Sequence, residues 1–159
     1  MMFSTKAEYG VRLMVELGRR EGQGPVSLAE IAEAEFLPLP YLEHLTARLR
    51  RAGLVESKRG AHGGYMLARP ADRISMAEIV EALEGSIAPV ECITAGTDSH
   101  MMCSHEHDPG GVCTTKVLWT KVQGSIVRTL QETSLSELVE RPPLAPGKPA
   151  TKLPVAATS

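Results

Sequence analysis

The sequence predicts a mainly α fold interrupted by a single β-hairpin, and three observations carry that prediction. Only 4% of the 159 residues are aromatic while 43% are hydrophobic, so the core is expected to be Leu, Val, Ile, Ala and Met. Four Ser/Thr-x-x-Glu patterns, Thr5/Glu8, Ser27/Glu30, Ser75/Glu78 and Ser134/Glu137, mark helix starts. In each, a hydroxyl is placed to accept from the N3 amide while the Glu reaches back to the cap N–H. Gly60, Gly63 and Gly64 cluster between two short apolar runs, where a tight turn makes use of glycine's backbone freedom. At this length, one core-bearing domain is expected rather than two independent ones.

Taken in order, Ala7, Val11 and Met14, with Leu13 and Leu17, recur at helical spacing after Thr5 until Gly22 to Pro25 break the pattern. Ser27 opens a short helix, Leu28 to Ala34, that stops before Pro38. Pro40 then sits in the first turn of a third helix, where its missing N–H is tolerated. That helix runs to about Arg51 with Leu42, Leu45 and Leu49 facing one way, and Gly53 is suited to a left-handed position just beyond it. Leu54 to Lys58 and Tyr65 to Ala68 form the hairpin, and Ser75 starts a helix through Ile79, Val80 and Leu83 to Gly85.

From Ala88 to Val112 no periodicity survives, and the stretch reads as a loop containing three His and two of the three Cys. After Cys113 comes a helix of about 19 residues, roughly 28 Å long, carrying Leu118, Val122, Ile126 and Leu130 with Trp119 and Val127 alongside. So long an apolar stripe needs a partner, and a two-fold dimer seam is expected. The last 18 residues hold five Pro and read as disordered. The expected division is therefore a winged helix-turn-helix domain over residues 1–86, a cysteine-bearing loop over 87–113, a dimerisation helix with a short final helix over 114–140, and a tail over 141–159.

Helix, short turn, helix and hairpin in that order make a winged helix-turn-helix, whose second helix enters the DNA major groove. Charge agrees with double-stranded DNA as the partner. Residues 41–69 hold six basic side chains against two acidic ones, a local +4 in a chain of formal charge -2. The expected DNA-facing residues are Tyr41, Glu43, His44, Arg48 and Arg51 on the helix and Lys58, Arg59, His62, Gly63 and Gly64 on the wing. Near the helix start, Glu43 is suited to accept from a cytosine amine and His44 to donate to a purine. Arg59 at the wing suits a narrow minor groove.

The first residues lack a basic segment followed by an apolar one, and no run approaches about 18 apolar residues. A cytoplasmic protein without membrane contact is expected. No Cys shows a base-and-orienter arrangement, so neither catalysis nor a small-molecule substrate is expected.

Cys92, Cys103 and Cys113 fall within 22 residues, separated by ten and nine, and the rest of the chain has none. Soft thiolates on long polar spacers suit an iron-sulfur cluster. Zinc also accepts three Cys and one His, with His105 and His107 nearby, although a tight Cys knuckle is missing. A thiol switch is the third possibility, and spacing does not choose among them.

The runs Ser27-Leu-Ala-Glu-Ile-Ala, Tyr41-Leu-Glu-His-Leu, Arg48-Leu-Arg-Arg-Ala-Gly-Leu-Val55 and Lys58-Arg-Gly-Ala-His-Gly-Gly-Tyr65 resemble the IscR-type (Rrf-two) family of winged-helix regulators. So do the opening Phe3-Ser-Thr-Lys-Ala-Glu-Tyr9-Gly, the three Cys before a helix bearing Trp119, and the closing Ser134-Leu-Ser-Glu-Leu-Val139. The resemblance implies a homodimeric regulator binding an imperfect palindrome, with Glu43 and His44 on bases and Arg59 in the minor groove. It also implies an iron-sulfur cluster, 2Fe-2S or 4Fe-4S, on Cys92, Cys103 and Cys113, sensing iron-sulfur, redox or nitric oxide status. Glu8 occupies the position from which some members supply a fourth ligand across the dimer, with His105 and His107 as competing donors. The chain departs from the family pattern at three points: Pro40 replaces a Ser that touches DNA in many relatives, the Cys gaps are wider, and Lys116 stands where one branch has a ligating His. The remaining alternative is a zinc-binding or cofactor-free thiol-redox regulator acting through a protein partner.

Overall fold

The computed structural model describes residues 3–87 and 114–141. The expected loop, with Cys92, Cys103, Cys113, His105 and His107, lies outside the described residues, as does the Pro-rich tail after Arg141. The order of elements is α1 (Thr5–Arg19), α2 (Leu28–Glu35), α3 (Leu39–Arg51), β1 (Val55–Lys58), β2 (Gly64–Leu67), a 3-10 turn (Ala71–Arg73), α4 (Met76–Glu84), α5 (Thr114–Glu132) and α6 (Leu135–Val139). The mainly α winged helix-turn-helix expected from the sequence is the fold observed.

Three of the four expected capping boxes form. Ser27, Ser75 and Ser134 each accept from the N3 amide while Glu30, Glu78 and Glu137 bond back to the cap N–H. Glu78 titrates below the ordinary glutamate value, chiefly because the Ser75 N–H donates to it; burial opposes this, and the Arg69 guanidinium and Ser75 hydroxyl reinforce it.

The Thr5/Glu8 box does not form. Ser4 is the N-cap, accepting from the Lys6 N–H at 3.1 Å, and the Thr5 hydroxyl lies 3.4 Å from the Tyr41 hydroxyl instead. The Ser4 N–H, which a local Glu would have satisfied, donates to Glu84 Oε1 at 3.0 Å, and the Ser4 hydroxyl bonds the same oxygen. A carboxylate from α4 has taken over the capping role, leaving Glu8 exposed.

The core is a single cluster in which Leu13 and Met14 of α1, Ile31 of α2, Leu42, Leu45 and Leu49 of α3, and Ile79 and Leu83 of α4 are fully buried. The chain returns to this core at its end, where Leu135 of α6 is also fully buried. Its amide donates to the Ile74 carbonyl at 2.8 Å, and the Met76 amide donates to the Thr133 carbonyl at 2.9 Å. Two glycines let α1 sit this close to its neighbours. A Cβ on Gly10 would fall on the Leu83 side chain, and one on Gly18 would lie 2.6 Å from Val139 Cγ2. The first half of α5 points outward: Val117, Leu118 and Trp119 are exposed, whereas Leu130 packs against the core.

β1 and β2 pair antiparallel from Val55↔Leu67 to Lys58↔Gly64. The hairpin is tied back to the helices by Val26, whose amide donates to the Tyr65 carbonyl at 2.9 Å and whose carbonyl accepts from the Tyr65 amide at 2.8 Å. Gly64 makes this possible, because a Cβ there would meet the Val26 backbone. Gly64→Ala is therefore expected to lower unfolding free energy by about 1–3 kcal/mol, the usual cost of overpacking. Urea denaturation measures this, and a midpoint equal to wild type would show that Val26 moves aside freely.

Candidate nucleic-acid interface

Burial divides α3 into two faces. Leu42, Leu45, Thr46 and Leu49 point into the core, and the Thr46 hydroxyl donates to the Leu42 carbonyl at 2.7 Å, so the polar atom on that side is satisfied. Pro40, Glu43, His44, Ala47, Arg50 and Arg51 are exposed on the opposite side. Their spacing of three and four residues keeps them on one stripe. Pro40 lies in the first turn, and the cap at Pro38 offers no side-chain acceptor, so the helix start is held by its neighbours.

Those neighbours are aromatic and charged. Tyr41 meets Tyr9 edge to face, centroids 5.7 Å apart, which places the first turn of α3 against α1. Arg12 of α1 lies over the Tyr9 ring at 5.9 Å, bonds Glu35 Oε2 at 2.8 Å, and also donates to the Glu35 carbonyl at the end of α2. The turn between α2 and α3 closes through Phe36, which adopts a left-handed conformation at φ 53° and is 92% exposed. Sequence reading missed this, because a left-handed cap is usually Gly or Asn.

The wing lies next to the exposed stripe. Lys58, Arg59, Gly60, Ala61 and His62 are exposed, and Gly63 N–H donates to the Gly60 carbonyl at 3.0 Å to close the tip. A Cβ on Gly63 would meet the Lys58 carbonyl, so Gly63, like Gly64, has an architectural role. Arg50 bridges helix and wing by donating to the Ser57 hydroxyl at 3.3 Å. It belongs to the basic patch but not to the set expected to face DNA, and only the fold reveals its position across from β1. The guanidinium of Arg48 is directed elsewhere: it is half-buried and donates to the Leu83 carbonyl of α4 at 3.0 Å. Tyr41, Glu43, His44, Arg51, Lys58, Arg59 and His62 thus all belong to α3 or the adjoining wing.

Of the expected metal ligands, only Glu8 is described. It lies exposed in the first turn of α1, where its amide donates to the Ser4 carbonyl at 3.3 Å and its carboxylate makes no hydrogen bond or ion pair to another described residue. Among the described residues no group of three or more His, Cys, Asp or Glu is placed to hold a metal ion.

Glu84 of α4 is held at the start of α1 by Ser4 and Lys6. Burial raises its pKa, but hydrogen bonds from the Ser4 hydroxyl and amide and the Lys6 charge at 3.4 Å outweigh this, so it titrates below the ordinary glutamate value. A depressed native value means the stabilisation is complete above the ordinary value of 4.5 and is lost as pH falls through the lower native one. Glu84→Gln is expected to unfold at lower urea than wild type at neutral pH, with the gap closing on acidification. A gap independent of pH would assign the effect to packing.

Residues 3–141 match the family profile described as Rrf2, iron-dependent transcriptional regulator. The chain is 38% identical over 138 residues to the HTH-type transcriptional regulator CymR of Bacillus subtilis, covering 87% of this chain and 89% of that one. The solved structure of that protein, the global cysteine regulator of B. subtilis, superposes with a TM-score of 0.68 at 37% identity, covering 87% of this chain and 96% of that one. The structure of T. potens IscR superposes with a TM-score of 0.69 at 40% identity, covering 87% and 86%. Among the described residues no helix is long and apolar enough to cross a membrane.

Proposed function

The chain belongs to the Rrf2 family of transcriptional regulators, and from that premise we propose a homodimer that binds an imperfect DNA palindrome and whose operator affinity is set by an iron-sulfur cluster. The observation that carries the DNA reading is the exposed stripe of α3 with a basic wing locked beside it. Glu43 and His44 read base edges from the first turns of α3, Arg51 and Lys58 neutralise phosphates, and Arg59 and His62 at the wing tip reach the minor groove. Gly63 and Gly64 let the wing backbone fold tightly enough to present them.

The exposed apolar residues Val117, Leu118 and Trp119 on the first half of α5 supply the dimer seam. Two copies related by a two-fold axis place two recognition helices on successive turns of one DNA face, about 34 Å apart.

Three thiolates, Cys92, Cys103 and Cys113, fit the soft-donor demand of a cluster, and a carboxylate is an acceptable fourth donor. Glu8 of the partner subunit is suited to that role, because Ser4 and Glu84 have relieved it of capping and its carboxylate has no bond among the described residues. His105 and His107 are the competing donors. When bound, the cluster supplies a charge and an occupancy that respond to iron supply, oxidants or nitric oxide.

Anaerobic purification of the full chain followed by visible absorbance and iron analysis tests this. The expected result is a coloured protein whose operator affinity changes when the chromophore is removed, and a colourless Cys92→Ser/Cys103→Ser/Cys113→Ser variant. Glu8→Ala is expected to alter the spectrum where His107→Ala does not. The likeness to CymR favours a second reading, a thiol-redox or zinc regulator acting through a protein partner. A colourless wild type with stoichiometric zinc, or with free thiols, would establish it.

A further inference from the structure

Contacts from three separate elements converge on one short stretch, Leu83 to Ile87, which is the last turn of α4 and the residues that follow it. From the recognition helix, Arg48 Nη1 donates to the Leu83 carbonyl at 3.0 Å. From the start of α1, the Ser4 amide donates to the Glu84 carboxylate at 3.0 Å and Lys6 Nζ lies 3.4 Å from it. From α5, Gln123 Nε2 donates to the Ile87 carbonyl at 2.8 Å. Leu83 and Ile87 are themselves 0% and 3% exposed, and Gly10 provides the space in which the Leu83 side chain sits.

Carbonyls in the last turn of a helix have no intrahelical donor, so they accept from outside. A guanidinium there also meets the negative end of the helix dipole. These bonds leave the stretch little freedom to move alone. A shift at Ile87 is carried to Leu83 by the helix end and from Leu83 to α3 by Arg48. Arg48 lies four residues after His44, so the anchor is about 6 Å along the axis from a base-reading side chain. In the other direction, only four residues separate Ile87 from Cys92.

We propose that Leu83–Ile87 is the node through which the cysteine-bearing segment sets the pose of the recognition helix, with Arg48 as the positioning residue that transmits it rather than a contact to DNA. The sensing half of this statement rests on the proposed cluster reading; the link between α4 and DNA binding does not. Thermodynamic reciprocity then requires that DNA binding be felt at the node.

The test uses the full chain as wild type, Arg48→Met and Gln123→Met, with a duplex selected by the protein from a random pool. Affinity is measured against salt with and without the chromophore, and amide exchange of residues 83–87 with and without DNA. Both variants should keep the wild-type salt slope. The affinity ratio between loaded and unloaded protein, usually about 5- to 150-fold for coupled sites, should fall to within about twofold of unity. DNA should slow exchange at residues 83–87 in wild type and fail to do so in Arg48→Met.

A salt slope reduced by about one per protomer in Arg48→Met, with the ratio retained, would make Arg48 a phosphate contact and overturn the proposal. Unchanged coupling in Gln123→Met, whose residue belongs to neither α3 nor the wing, would overturn the α5 link. A colourless wild type would defeat the cluster reading alone. In that case exchange at residues 83–87 still decides, and indifference to DNA there would overturn the node.

Discussion

Replacing Leu49 with Ala is expected to remove about 2–5 kcal/mol of unfolding free energy. Leu49 is fully buried on the inner face of α3, in one cluster with Leu45, Leu54 and Leu83, so truncation opens a cavity between the recognition helix and the rest of the core. Since a domain of this kind is stable by about 5–15 kcal/mol in total, the loss is a large share of the whole. Urea titration should show a lower midpoint with an unchanged slope. A change below about 0.5 kcal/mol would mean that the helix relaxes into the space and that α3 is not fixed in place by its packing on the core.

The wing is expected to show the second large effect, on binding instead of stability. Lys58 and Arg59 are exposed and make no ion pair among the described residues, so the double substitution Lys58→Ala/Arg59→Ala removes charge without disturbing a fold contact. With Lys58 on a phosphate and Arg59 in the minor groove, where it too displaces counterions drawn by the phosphates, the slope of log affinity against log salt is expected to become shallower by about two per protomer. At physiological salt this amounts to roughly a 30-fold loss for each protomer engaged. A loss of affinity with an intact slope would show that neither side chain acts through its charge, and no loss at all would take the wing off the DNA.

Local chemistry in the sequence foretold much of the molecule, and most of the exceptions come from contacts between residues far apart in the chain. Ser27, Ser75 and Ser134 were readable as caps because the partner Glu lies three residues on. Ser4 was not, because its partner Glu84 is 80 residues away and only the packing of α1 on α4 brings them together. The buried face of α3 was legible from the periodicity of Leu42, Leu45 and Leu49. Arg48 looked like its basic neighbours Arg50 and Arg51, and nothing in the spacing reveals that its guanidinium turns back to a carbonyl of α4. Phe36 escaped for a different reason, since its left-handed turn is imposed by the junction of two helices against the usual preference of the residue. Glycine identity marked the hairpin, but the tie from Gly64 and Tyr65 to Val26 is a tertiary approach with no sequence signature.

That tie between Val26 and Tyr65 governs how the interface can evolve. Val26 directly precedes the cap of α2, so the hairpin is stitched to the scaffold that carries α3 and cannot swing like a loose arm. The exposed stripe of α3 and the wing therefore keep a constant offset, like the jaws of a caliper locked at one setting. With Glu43 and His44 as the proposed base readers, exchanges at those two positions would retune which letters are preferred while the grip on the backbone kept its geometry, so the same frame would pass from one promoter to another by changing very few side chains.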